Sequence, residues 1–162
     1  MGTGKSFWGK KWAKHFGCSF IDLDDAIVEK EGSTITTIFE TQGEKYFRDV
    51  ETLVLRETEY ENNAIIACGG GTPCFNKNME WMNANGVTVY LSRQPIELYK
   101  NLAKQTLKRP LLKNKNEQEM LFYIEQKLKE RTPFYEQANI TLDTETIDIH
   151  SIDKIVNIIA LK

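Results

Sequence analysis

Gly2-Thr3-Gly4-Lys5-Ser6 gathers two glycines, a lysine and a hydroxyl into five residues. That set suits a polyphosphate. Gly2 and Gly4 let the backbone curl so that several N–H groups face one anion. Lys5 would reach the β- and γ-phosphates, and the Ser6 hydroxyl would ligate magnesium. A helix starting at Ser6 would aim its positive end at the same point. A frayed, glycine-rich chain start has the same composition, so the motif gains its weight from what lies downstream. The full pattern, G-x-x-x-x-G-K-[ST], follows a buried strand. Its first glycine would fall two residues ahead of Met1, with the strand further upstream. The expectation is that Met1 is an internal methionine of a longer chain. About a dozen residues, one strand and the front of the loop, would precede it.

Two carboxylates come next. Asp22 and Asp24, in Phe20-Ile21-Asp22-Leu23-Asp24, close a strand expected over 18–23. Strand alternation points i and i+2 to one face. Both would then sit at the C-terminal edge of a sheet, where ligands of open α/β sheets bind. One could hold magnesium through water, and the other could accept a proton from a substrate hydroxyl. Asp24 or Asp25 could equally cap the next helix. Gly69-Gly70-Gly71 follows an apolar strand over 64–68. Such a run marks close backbone approach, and its N–H groups suit a carboxylate or a phosphoryl group. A flexible turn would look the same. Four arginines stand near these features: Arg48 with Glu51 three residues on, Arg93 after a strand, Arg109 ahead of a polar stretch over 113–119, and Arg131 at a helix end before Pro133. Arginine grips carboxylates and phosphates bidentately, although a single arginine is usually just solvated.

The elements that must position these groups alternate. Strands are expected over 18–23, 64–68, 87–91 and 139–142. Helices are expected over 6–16, 24–31, 43–60, 77–85, 95–107, 118–131 and 152–160, with a further one after 33–36 capped by Thr34 or Thr36. Trp8, Trp12 and Phe16 form an apolar face on the first helix, and Phe47, Val50, Val54 and Leu55 form one on the long helix. Such alternation means parallel strands joined by crossover helices. At 162 residues the chain suits one domain with a sizeable core. A net charge of −2 argues against a nucleic-acid binder. No apolar run approaches the roughly 20 residues that span a bilayer, and no signal peptide is expected. Cys18, Cys68 and Cys74 are odd in number and lack metal-ligand spacing, which reads as reduced thiols in the cytoplasm. His15 and His150 read as lone histidines with surface or structural roles.

In order, the motifs are G-x-G-K-S at 2–6, F-x-D-x-D at 20–24, I-x-x-I-F-x-x-x-G-E-x-x-F-R-x-x-E at 35–51, G-G-G-T at 69–72, R-P-L-L at 109–112 and R-x-P-x-Y at 131–135. Across essentially the whole chain this resembles shikimate kinase. The resemblance implies an α/β fold, that of an NMP-kinase-like P-loop NTPase. Helices would flank a five-stranded parallel sheet whose first strand is missing from this sequence. A single domain, 1–162, would carry a substrate-binding subdomain at about 24–60 and a lid at about 103–118. The implied activity is transfer of the γ-phosphoryl group of ATP to the 3-hydroxyl of shikimate, with Mg2+, in aromatic amino-acid biosynthesis. The expected setting is a cytoplasmic monomer with no nucleic-acid or membrane partner.

Residue by residue, the resemblance gives Gly2, Thr3, Gly4, Lys5 and Ser6 to the ATP phosphates, and Ser6 and Asp22 to Mg2+. Asp24 would bind the shikimate hydroxyls and orient or deprotonate the 3-hydroxyl. Arg48 and Arg131, with Gly70 and Gly71, would hold the carboxylate. Lys5 and the lid residue Arg109 would neutralise charge during transfer. Leu102, seven residues before Arg109, stands where family members often carry an arginine near the adenine, and Lys104 is the nearest basic residue. Two other readings remain: a related small-metabolite kinase such as a gluconate kinase, and a non-catalytic remnant that holds the acid without turning over ATP.

Overall fold

A computed structural model describes residues 2–58, 63–103 and 116–153. The apolar runs form four short strands, each of four residues. β1 (Ser19–Asp22) and β2 (Ala64–Ala67) pair in parallel, from Ser19 opposite Ala64 to Asp22 opposite Ala67. β3 (Val89–Ser92) and β4 (Ile140–Asp143) pair in parallel from Val89 opposite Ile140 to Ser92 opposite Asp143. Parallel pairing needs a crossover. Between β1 and β2 run α2 (Leu23–Glu31) and α3 (Ile35–Glu57); between β3 and β4 run α5 (Pro95–Ala103) and α6 (Glu117–Tyr135). α1 (Lys5–Phe16) precedes β1, and α4 (Asn78–Asn85) lies between β2 and β3.

The sheet is parallel, as expected, with four strands among the described residues. Among the described residues it is two separate pairs, and β2 is not bonded to β3. A cavity of about 910 Å³ is lined by both of them, with Ile65 and Ala67 from one strand and Val89 and Leu91 from the other. The core divides accordingly. Leu23, Ile27, Val50 and Leu55 join α2 to α3. Leu98, Leu102, Met120 and Ile124 join α5 to α6. Trp12, Leu91 and Ile152 form a third cluster.

Local chemistry sets the helix ends. The Thr34 hydroxyl accepts from the Thr37 N–H at 3.2 Å, so Thr34 rather than Thr36 is the cap. The long element bends at Gly43, whose φ of 82° is non-helical. α3 is therefore two helical segments joined across a kink at Gly43, in keeping with the two helices expected there. Its inward face is as expected, with Phe47, Val50, Val54 and Leu55 all buried. α6 opens on a full capping box between Asn116 and Glu119. It runs past Arg131 and through Pro133 to Tyr135. The Tyr135 ring lies 5.0 Å from Tyr90 and its hydroxyl donates to the Gly70 carbonyl, contacts that hold the last turn in place despite the proline. The helix expected over 95–107 is described only as far as Ala103, and that over 152–160 lies almost entirely outside the described residues. On α1, Trp12 is buried as expected, but Phe16 is 38% exposed and packs edge-on against His15.

Candidate active site

α1 begins at Lys5, directly after Gly4, and no side chain caps it. Gly4 has a φ of 88°, which a residue with a side chain adopts only under strain. Its first-turn N–H groups and the Lys5 ammonium together make an anion-receptive end. The Asn101 amide donates to the Gly2 carbonyl at 2.9 Å and ties this loop to α5. Leu102, fully buried, packs beneath Gly2. This residue therefore belongs to the core and does not replace an arginine at a base-binding surface.

The Ser6 hydroxyl donates to Asp22 Oδ2 at 2.5 Å. The other oxygen of Asp22 accepts from the Asp24 N–H at 3.2 Å, capping α2. This corrects two expectations. The cap is Asp22, not Asp24 or Asp25. Asp24 lies in the first turn of α2 rather than two places along the strand, because β1 stops at Asp22. The carboxylates still lie close together, through a strand-to-helix turn instead of alternation. A hydroxyl and a carboxylate beside the phosphate loop are hard oxygen donors, which fits magnesium.

A second cluster centres on Glu51, which is only 1% exposed. Taking a carboxylate out of water costs several kcal/mol unless it is paired. Glu51 Oε2 accepts from Arg48 Nη1 at 2.8 Å, and Oε1 accepts from the Thr72 hydroxyl at 2.6 Å. Glu44 takes Arg48 Nε and Nη2 at 3.2 and 3.0 Å. The rings of Phe47 and Phe75 lie 5.0 and 4.3 Å from the guanidinium carbon. Of the five guanidinium N–H groups, these bonds occupy three. The other two, one on each Nη, remain for a planar anion among the described residues. A Cβ placed on Gly71 would stand 2.7 Å from both Nη atoms, so glycine is required there for the fork to lie against the backbone.

Arg131 reaches the same region from α6. It lines the cavity with Thr3, Lys5, Gly70 and Tyr135. Three displaced titrations record which charges converge. Burial pushes the Cys74 thiol up, while Arg131 and Arg48 both pull it back. Burial also pushes the Tyr135 phenol up against the pull of Arg131. Burial raises the Cys68 thiol to about 12, with Glu51, Asp24 and Asp22 adding to the rise and Lys5 opposing it. The phosphate-loop lysine, both aspartates and the buried glutamate thus act on one sulfur. Arg93 faces Glu97 at 3.8 Å and lines the same cavity. Arg109 and Lys104 lie outside the described residues.

The family model for shikimate kinase matches residues 1–160. The chain belongs to the shikimate kinase family. A shikimate kinase from Parabacteroides distasonis is 42% identical over 156 residues, covering 94% of this chain and 90% of that one. The crystal structure of the Bacteroides thetaiotaomicron shikimate kinase superposes with a TM-score of 0.87 at 38% identity, covering 98% of this chain and 91% of that one. The Acinetobacter baumannii enzyme, solved in complex with shikimate, gives 0.83 at 34% identity, covering 99% and 88%.

Several contributors escape a reading of the sequence alone. Glu44 carries two of the bonds to Arg48, and helical i, i+4 spacing could have suggested it. Thr72 and Phe75 reach Arg48 or Glu51 from another element, which no local pattern encodes. All three cysteines are free thiols, as expected. His15 and His150 are not lone residues: their rings meet edge to face at 5.6 Å.

The Cys68 titration is directly testable. With the thiol raised from 9.0 to about 12, folding keeps it protonated. That contribution to stability is complete below pH 9.0 and disappears as pH rises towards about 12. At pH 8 the folded chain is expected to carry about a thousandfold less Cys68 thiolate than the unfolded chain. Timed iodoacetamide labelling with peptide mass spectrometry should show Cys68 protected until the chain is unfolded. Equal labelling rates in both states would contradict the burial.

Proposed function

We infer that this chain is an ATP-dependent kinase that phosphorylates shikimate on its 3-hydroxyl, giving shikimate 3-phosphate and ADP. The observation that carries the reading is one convergence of groups. A phosphate loop, an Asp22–Asp24 pair and a pre-set Arg48 fork act on the same region of a chain whose family match spans 1–160.

The roles follow from the chemistry. Lys5 and the N–H groups of Gly2, Thr3 and Gly4 would bind the ATP phosphates. Ser6 and Asp22 would hold Mg2+, which when bound supplies charge neutralisation at the phosphates. Arg48 and Arg131, with the N–H groups of Gly70 and Gly71, would fix the shikimate carboxylate. That orientation brings the 3-hydroxyl to Asp24, which accepts its proton. Arg109, on a lid at about 103–118, would cover the phosphates and exclude water. The substrate-binding subdomain would be the part at about 24–60. Two arginines aimed at a carboxylate favour shikimate over an acceptor without one; they do not by themselves exclude gluconate.

The space between β2 and β3 supports the finer reading of the fold, a central parallel strand that leads into Gly2. One strand inserted there would offer backbone N–H and C=O groups to the facing edges of β2 and β3. It would also fill a cavity lined by Ile65, Ala67, Val89 and Leu91.

Shikimate-dependent ADP release tests the activity, with gluconate and quinate as competing acceptors. Shikimate is expected to be turned over in strong preference to both; preference for another acceptor would refute the assignment. Asp24→Asn is expected to lose about 10²–10⁴ in kcat while calorimetric shikimate binding persists. Turnover like that of the parent would refute the proton-accepting role. A chain extended ahead of Gly2 by an apolar strand and a loop glycine should melt higher and bind ATP more tightly than the 162-residue chain. Identical melting would contradict strand insertion.

A further inference from the structure

Far from the phosphate loop, at the other end of α1, three side chains meet. His15 belongs to the last turn of α1. His150 lies in the 3-10 turn Ile149–Ile152, and Asp153 caps that turn. His15 Nε2 stands 3.1 Å from Asp153 Oδ1, and His150 Nδ1 stands 3.0 Å from Asp153 Oδ2. Taking one donor atom from each residue, all lie within 4.8 Å of one another.

From this geometry we propose a surface site for a zinc-class divalent transition metal, with His15, His150 and Asp153 as its three protein ligands. The donor set selects the ion. Imidazole nitrogens favour zinc, nickel, cobalt or copper over magnesium, which prefers oxygen alone. Tetrahedral bonds of about 2.0–2.1 Å place ligand atoms about 3.3 Å apart. The two histidines stand 3.1 and 3.0 Å from separate oxygens of Asp153, and small side-chain rotations within the 4.8 Å cluster would converge the three donors. Water would take the remaining coordination position.

Contacts other than the three ligands hold the two elements together, so the site is pre-organised. The Trp12 indole donates to the Asp148 carbonyl at 3.3 Å. Ile152, 5% exposed, packs in the cluster with Trp12 and Leu91. The Asp148 carboxylate caps the turn through the His150 N–H at 2.9 Å. The helix end adds to this, since the carbonyls at the α1 C-terminus favour a cation. Without metal, the carboxylate sits between two imidazoles; with metal, the ion replaces the protons on the facing nitrogens.

Ser6 and Asp22 are not involved. His15 is about 15 Å along the helix from Lys5, so this site is distinct from the magnesium position. Its effect would be to clamp α1 to the turn ahead of residue 154.

Cobalt(II) titration of the whole chain in excess Mg2+ tests the site. The expected result is one equivalent bound with visible d–d bands and no thiolate charge-transfer band, displaced by zinc. His150→Ala, at a largely exposed position, should weaken binding by about tenfold or more. Its metal-free melting temperature should stay close to that of the parent. Zinc should raise the melting temperature of the parent and not of His150→Ala. Failure to bind cobalt, unchanged binding in His150→Ala, or a thiolate band indicating cysteine ligation would each overturn the proposal.

Discussion

A carboxylate that water does not reach governs the Arg48 half of the candidate site. Glu51 is buried in the kinked α3, and its burial is tolerable only because both oxygens are bonded. One bond fixes Arg48, and the other fixes Thr72 directly after the glycine run. The distance between the guanidinium and the Gly70-Gly71 backbone is therefore set before any substrate arrives. Glu44 and the two phenylalanine rings limit the remaining freedom of the fork. Phosphoryl transfer needs positioning and charge neutralisation more than covalent chemistry, and pre-set groups supply both without reorganisation.

The phosphate-binding half is built by a different device. Asp22 ends β1, caps α2 and receives the Ser6 hydroxyl, so one side chain joins the loop, the strand and the helix that carries Asp24. The two halves meet beside Cys68, at the end of β2. Between β2 and β3 the sheet opens into a cavity, and the core divides into three clusters around it. The order of the site thus rests on short hydrogen-bonded turns and helix ends more than on a continuous sheet.

Much of this was legible in the sequence where the determinant is local. The arginine–glutamate pair at i, i+3 and the inward face of α3 follow from helical spacing, and capping chemistry narrows the cap to Thr34 or Thr36. Asp22 and Asp24 lie close together through a turn instead of by strand alternation, because β1 stops at Asp22 and α2 starts at the next residue. Phe16 fits the apolar spacing of α1 yet remains exposed; periodicity says which residues share a face, not where a sheet ends beneath them. The contacts of Thr72 with Glu51, and of His15 with His150, join segments distant in sequence. They depend on how helices settle against strands, which no local pattern carries.

In the function proposed, Glu51 acts on the substrate carboxylate through Arg48. A double-mutant cycle with Glu51→Gln and Arg48→Lys, read as calorimetric shikimate affinity of the folded proteins, addresses it most directly. Strongly non-additive losses are expected, with a coupling of about 1 kcal/mol or more. Losses that add to within about 0.5 kcal/mol would mean that the two residues act independently and would contradict it.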